Sequence, residues 1–266
     1  MESSASQYLM TEDGRRSLDR LCSPLLQLAG IKANCLGPFD IGGVQYDLPR
    51  YTYCGVQGVE PVRLGIFAAI HGDEPAAAFA VVEFLAELAQ QPEWAVDYHI
   101  DAYPVCNPTG FEDDTRVSRR GRDLNREFWK KSDEPEVQLL ESELRSRHFH
   151  GIIQLHADDT SDGVYGFVRG HTLTENLLRP ALREAGKILP RNVNATIDGF
   201  AARDGIVYKH YDGVLAAPAE IQPPPFEIIF ETPQLAPIEL QVQAVKAALR
   251  TIMIEYRALM SFAQNI

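Results

Sequence analysis

Cysteine is sparse in this chain and has no framework to serve. The four cysteines, Cys22, Cys35, Cys54 and Cys106, are scattered and never form a C-x-x-C pair. That excludes a disulfide scaffold and a cysteine-built zinc site, and it suits a reducing compartment. Positive charge is short as well: 25 Lys and Arg stand against 37 Asp and Glu, a net charge of −12. A phosphate-backbone binder needs the opposite balance, so nucleic acid is not an expected partner. Long apolar runs are missing too. Stretches such as Leu64 to Ile70 fall far short of the ~20 residues of a membrane span. Met1 to Gln7 carry no basic segment and no apolar one follows directly, so no secretory signal is visible and a cytoplasmic protein is expected. No G-x-S-x-G elbow occurs, which argues against a serine hydrolase.

What remains is an ordinary globular mixture, 45% apolar and 23% charged over 266 residues. A globule of that mass buries roughly 73% of the surface its unfolded chain exposes, enough for a real core. Residues 1–45 read as an N-terminal elaboration. Thr11 or Asp13 is placed to cap a short helix bearing Leu18, Leu21, Leu25 and Leu28, and Gly30 closes it. Residues 46–266 read as a single domain in which strands and helices alternate. Strands are expected at 62–70, 99–106, 151–156, 164–168 and 226–230. Helices are expected at 76–88, 136–147 and 173–188, the last with a break or late start at Pro180. Ile238, Val242, Val245, Leu249, Ile252, Tyr256 and Leu259 form one apolar stripe on a long final helix. The expected fold class is α/β, a mostly parallel or mixed central sheet flanked by helices on both faces. Ligands of such sheets gather beyond the carboxyl ends of the strands.

Polar groups stand at those ends. His71 and Glu74 follow the 62–70 strand in H-G-D-E, and His156 closes G-I-I-Q-L-H. Two imidazoles and one carboxylate suit a single catalytic zinc, since three protein ligands leave a position open for water. Such an ion lowers the pKa of bound water to about 7. Asp73 is placed either to contact the metal or to orient an imidazole. The polar loop after the 99–106 strand crowds Arg116, Arg119, Arg120, Arg122 and Arg126 into an otherwise acidic chain. Arg119 and Arg120 read as a solvated charge run. Asn125 and Arg126 pair an amide with a guanidinium, a combination suited to capturing a carboxylate. Arg116 is a candidate for stabilising a tetrahedral oxyanion.

In this order, H-G-D-E, N-P-x-G, R-x-x-x-x-G-x-D-L-N-R, a strand ending in His and a strand ending in Glu before the final helix, the chain resembles the zinc metallocarboxypeptidases. The likeness runs over roughly residues 50–260. It is nearest to the small bacterial branch of murein-peptide amidases, with the succinylglutamate desuccinylase and aspartoacylase group as a neighbour. The resemblance implies that His71, Glu74 and His156 bind zinc and that Arg116 polarises the scissile carbonyl. It further implies that Asn125 and Arg126 hold the substrate's terminal carboxylate and that Glu231 is the general base. A carboxylate at a strand end among apolar neighbours has the raised pKa such a base needs.

The implied activity is hydrolysis of an amide bond next to a terminal carboxylate, on a small peptide. An N-acyl amino acid amidohydrolase and a non-catalytic peptide-carboxylate binder stay open as alternatives. Thr109, Ser118 and Glu127 depart from the family's usual Asp, Asn and Asn, and all three are expected to touch the substrate loop. Tyr208 and Tyr211 are near the place of a tyrosine that covers the substrate in larger members. Asp158, Asp159 and Asp162 are placed to attract a cationic group, and Cys106 reads as a buried apolar residue.

Overall fold

The computed structural model describes residues 10–11, 13–56 and 61–263. In chain order its elements are α1 (Leu18–Cys22), β1 (Ile31–Ile41), β2 (Val44–Cys54), β3 (Val62–Ala68), α2 (Pro75–Gln90) and β4 (Tyr98–Tyr103). Then come α3 (Pro108–Asp113), α4 (Pro135–Ser146), β5 (Gly151–Asp158), β6 (Tyr165–Val168), α5 (His171–Leu173) and α6 (Arg179–Ala185). The chain closes with β7 (Thr196–Ile197), β8 (Phe200–Arg203), β9 (Ile206–Val207), β10 (Phe226–Pro233) and α7 (Ile238–Ala263). The strands make one mixed sheet in the order β1-β2-β4-β3-β5-β10-β6-β9-β8-β7. Its centre, β4-β3-β5-β10, is parallel, and antiparallel strands extend it on both sides. The α/β class expected from the alternating pattern is the one observed.

The central strands are apolar on both faces because both faces are covered. Leu64, Ile66 and Ala68 of β3, with Ile153 and Leu155 of β5, pack toward α2 and α7 in the larger core. Phe67 and Ile152 enter a second core with Val137, Leu140 and Leu144 of α4. The stripe of α7 does what its period implies: Val242, Val245, Leu249 and Ile252 are buried. Lys246 and Arg250 reach across from α7 to Glu83 and Glu87 of α2.

Three features differ from the sequence reading. Residues 31–54 form a long hairpin, β1 and β2, that widens the sheet; β1 lies at the edge with most of its residues exposed, so no apolar alternation marks it. Ser17, rather than Thr11 or Asp13, caps α1 by accepting the Arg20 N–H, while Thr11 and Asp13 bond each other in a preceding turn. The expected 173–188 helix begins at His171 and passes through a π-helical turn, Thr174–Leu178, just before Pro180. Among the described residues, no helix is long and apolar enough to cross a membrane.

Candidate functional site

The site is assembled where the parallel strands end. β3 stops at Ala68, and Ala69 takes a left-handed φ of 45° that turns the chain out of the sheet into Ile70 and His71. Gly72 then passes so close to α3 that a Cβ would stand 1.9 Å from the Gly110 carbonyl carbon. Arg16, from the N-terminal segment, donates to the Gly72 carbonyl at 2.9 Å and pins this loop from outside. Glu74 occupies the cap position of α2, ahead of Pro75, but its carboxylate turns to the imidazoles instead of capping the helix. Two strands over, β5 and β10 run parallel in register, so Glu231 stands beside His156. Tyr165 of β6 stands on the other side of Glu231.

His71, Glu74 and His156 converge. Their candidate ligand atoms all lie within 4.8 Å of one another, and all three residues are buried. His71 Nδ1 is 2.5 Å from Glu74 Oε1, and His156 Nδ1 is 3.1 Å from Glu74 Oε2. The Ala157 N–H donates to the same Oε2 at 3.0 Å. His71 Nε2 faces Asp123 Oδ1 at 3.2 Å, the arrangement by which a carboxylate orients a metal-binding imidazole and leaves Nδ1 as the ligand nitrogen. Two imidazole nitrogens and a carboxylate oxygen, buried together, are a donor set that fits a divalent zinc-like cation.

The arginine loop closes over this cluster. Asn107 starts α3 by accepting the Gly110 N–H and donates to the Ile70 carbonyl, locking the N-P-T-G turn against the H-G-D-E loop. Arg116 Nη1 comes within 3.6 Å of Glu74 Oε1, and its Nε and Nη2 donate to Asp123 Oδ2 at 3.2 and 3.0 Å. Asn125 is buried; its Oδ1 accepts the Leu215 N–H and its Nδ2 lies 3.4 Å from His156 Nε2. The Arg126 guanidinium donates to the Asn125 carbonyl and stacks 4.3 Å above the Tyr211 ring. All seven expected residues line one cavity of about 390 Å³.

Electrostatics divides the two glutamates. Burial pushes Glu74 upward, but His71 and His156 outweigh it and hold its carboxyl at about 2. Burial depresses His71, yet Glu74 and Asp123 lift it to about 9, whereas burial dominates at His156 and lowers it. Glu231 is driven well above the carboxylate range, first by burial and then by Glu74, Asp158 and Asp198, with His71 opposing. A cation bound among His71, Glu74 and His156 would pull that carboxyl back down.

Other expected contributors fall out differently. Thr109, Ser118 and Glu127 do not face the cavity: Thr109 accepts the Arg119 N–H, Ser118 donates to Glu134, and Glu127 accepts from Ser132. Arg119 is no solvated charge; it grips Asp113 through two nitrogens. Asp158 and Asp159 line the cavity and Asp162 does not; Asp158 is already engaged by Tyr165 and Thr160. Tyr211 reaches the cavity, while Tyr208 lines a neighbouring one. Cys106 is fully buried, and burial pushes its thiol up to about 12. Asp123 joins the site without being named by the sequence pattern, although it heads the D-L-N-R segment; a carboxylate two residues before Asn125 is the signal that marks it.

Residues 61–194, just over half of the chain, match the family model of the succinylglutamate desuccinylase/aspartoacylase catalytic domain. Among solved structures, a candidate metallopeptidase from Shewanella denitrificans superposes with a TM-score of 0.74 at 22% identity, covering 92% of this chain and 93% of that one. One from Shewanella baltica gives 0.72 at 24% identity, with 88% and 89% covered. A metallo-carboxypeptidase from Burkholderia cenocepacia gives 0.73 at 16% identity, with 92% and 70% covered. At these identities the likeness is one of fold. Comparison with the curated proteins finds no match.

Proposed function

The chain belongs to the family of succinylglutamate desuccinylase/aspartoacylase catalytic domains, and from that premise we propose that it is a zinc-dependent hydrolase of the metallocarboxypeptidase type. It cleaves an amide bond next to a terminal carboxylate. The observation that supports this most is the convergence of His71, Glu74 and His156 beside Glu231 and Arg116 in one cavity. His71, Glu74 and His156 would hold the ion, with Asp123 orienting His71. A bound zinc ion supplies Lewis acidity, acidifying a water and polarising the amide carbonyl. Arg126, steadied on Tyr211, binds the substrate's carboxylate, and Asn125 braces the same wall. Arg116 faces the reacting carbonyl and donates to its oxygen as negative charge develops there. Glu231 takes a proton from the attacking water and returns it to the departing nitrogen, so water and amide become acid and amine.

The family description favours an N-acyl amino acid as a second reading of the same site, with the same residues in the same roles. Assay of a short peptide panel beside N-acyl amino acids separates the two. For either substrate, Glu231→Gln is expected to retain its zinc and to lose ~10²- to 10⁴-fold in kcat, the usual worth of a positioned acid–base. Undiminished turnover by a zinc-loaded variant would falsify the assignment of Glu231.

A further inference from the structure

Resting on the amide-hydrolase reading above, we propose that a second cavity beyond the metal cluster is a subsite for an acidic arm of the substrate, held by Arg169 and Lys209. This cavity measures about 940 Å³ against about 390 Å³ for the first, and the two meet at Phe167, Lys209 and His210. The path follows β6. Tyr165 lies beside Glu231 and Phe167 beside Ile229; Val168 is the last residue paired with β10, and Arg169 follows it into the second cavity. Phe167 and His210 stand edge-on at the junction, ring centroids 4.7 Å apart. A substrate longer than one acyl amino acid therefore has a continuous surface to lie on.

The rim carries an uneven balance of charge. Arg179 grips Glu175 through two nitrogens and approaches Asp204 at 3.9 Å, and Arg203 approaches Asp204 at 3.8 Å. Glu175 and Asp204 are thereby engaged. Arg169 and Lys209 are exposed and make no ion pair or hydrogen bond among the described residues; Asp212 opposes them on the rim, and the carboxyl of Glu227, half-buried, feels His210 and Arg169 from behind it. Four cations, Arg169, Arg179, Arg203 and Lys209, stand on this rim against three acids, Glu175, Asp204 and Asp212, a local excess of positive charge on a chain of net charge −12. Such a rim selects for negative charge in whatever lies across it.

The test separates binding from turnover. Zinc-loaded protein and its R169E/K209E variant are titrated calorimetrically with Ac-Glu-Glu-Ala-Ala, Ac-Ala-Ala-Ala-Glu and their glutamine counterparts, while release of the C-terminal residue is followed. At low salt the wild type is expected to favour at least one glutamate peptide by ~5-fold, the worth of two rim charges. The preference vanishes in the variant and shrinks at high salt, while both proteins bind the glutamine peptides equally, which also shows that the variant is folded. Equal affinity for acidic and amide peptides, or a preference that survives R169E/K209E, overturns the subsite. Preserved binding preference with no release of product would overturn the peptidase reading and leave the subsite standing.

Discussion

Glu136 offers a test that depends chiefly on burial. It lies in the first turn of α4, is fully buried, and neither of its carboxylate oxygens has a hydrogen-bond partner among the described residues. Burial, reinforced by Glu134, pushes its carboxyl from 4.5 up to about 7, with Arg120 opposing. Favourable interaction with a helix N-terminus is worth ~0.3–1 kcal/mol and does not offset the loss of water. Because the folded state holds this proton more tightly than the unfolded state, stability is unaffected below pH 4.5. It falls as pH rises toward 7 and stays reduced above that. The rise in pKa corresponds to roughly 3 kcal/mol at pH 8. Glu136→Gln keeps the shape, carries no charge, and leaves a polar group in the same place as the protonated acid does. The variant should therefore match wild type at pH 4.5 and exceed it by roughly 3 kcal/mol at pH 8. Urea melts from pH 4.5 to 8 at fixed zinc measure this as a shift in midpoint with unchanged m. Parallel pH profiles for the two proteins, or a variant less stable at pH 8, would refute the reasoning.

Three further outcomes follow from the site. Gly72→Ala places a methyl group 1.9 Å from the Gly110 carbonyl carbon, so the H-G-D-E and N-P-T-G loops must part. A loss of ~1–3 kcal/mol in stability, with weakened zinc retention, is expected from calorimetric melts and metal analysis. His71→Ala should leave the fold intact while zinc content measured by mass spectrometry falls below half an ion per chain; full occupancy would remove His71 from the ligand set. If Arg126 holds the substrate carboxylate as proposed, Arg126→Met should raise KM with a smaller change in kcat, a loss of ~2–3 kcal/mol in kcat/KM. An unchanged KM would place carboxylate recognition elsewhere.

The sequence shows the central strands because they are buried on both faces, and long apolar runs such as Leu64 to Ile70 are the direct result. It shows α7 because one side of a long helix meets the core and the other meets water. It does not show β1, an edge strand whose mostly exposed residues leave no period to read. Thr109, Ser118 and Glu127 illustrate a different gap. Their positions in a motif point to the substrate loop, but whether each side chain faces the cavity or the loop's own interior depends on backbone turns that the motif does not specify. Arg119 departs from the expected solvated charge for the same reason: its partner Asp113 is delivered by the end of α3.

Residue types and their order determined the chemistry available to this protein: two imidazoles, a carboxylate three residues after the first of them, a second carboxylate at a strand end and an arginine-rich loop. Tertiary structure alone decided that they meet. His156 and Glu74 are 82 residues apart and touch at 3.1 Å. Glu231 reaches them because β10 joins β5 in one particular register. A strand's apolar pattern limits which face it buries, but which distant strand it pairs with, and so which side chains end up as neighbours, is decided only when both segments come together. The raised pKa of Glu231 and the positive rim at Arg169 and Lys209 likewise belong to no segment. Each is the sum of burial and charges that only the folded sheet places side by side.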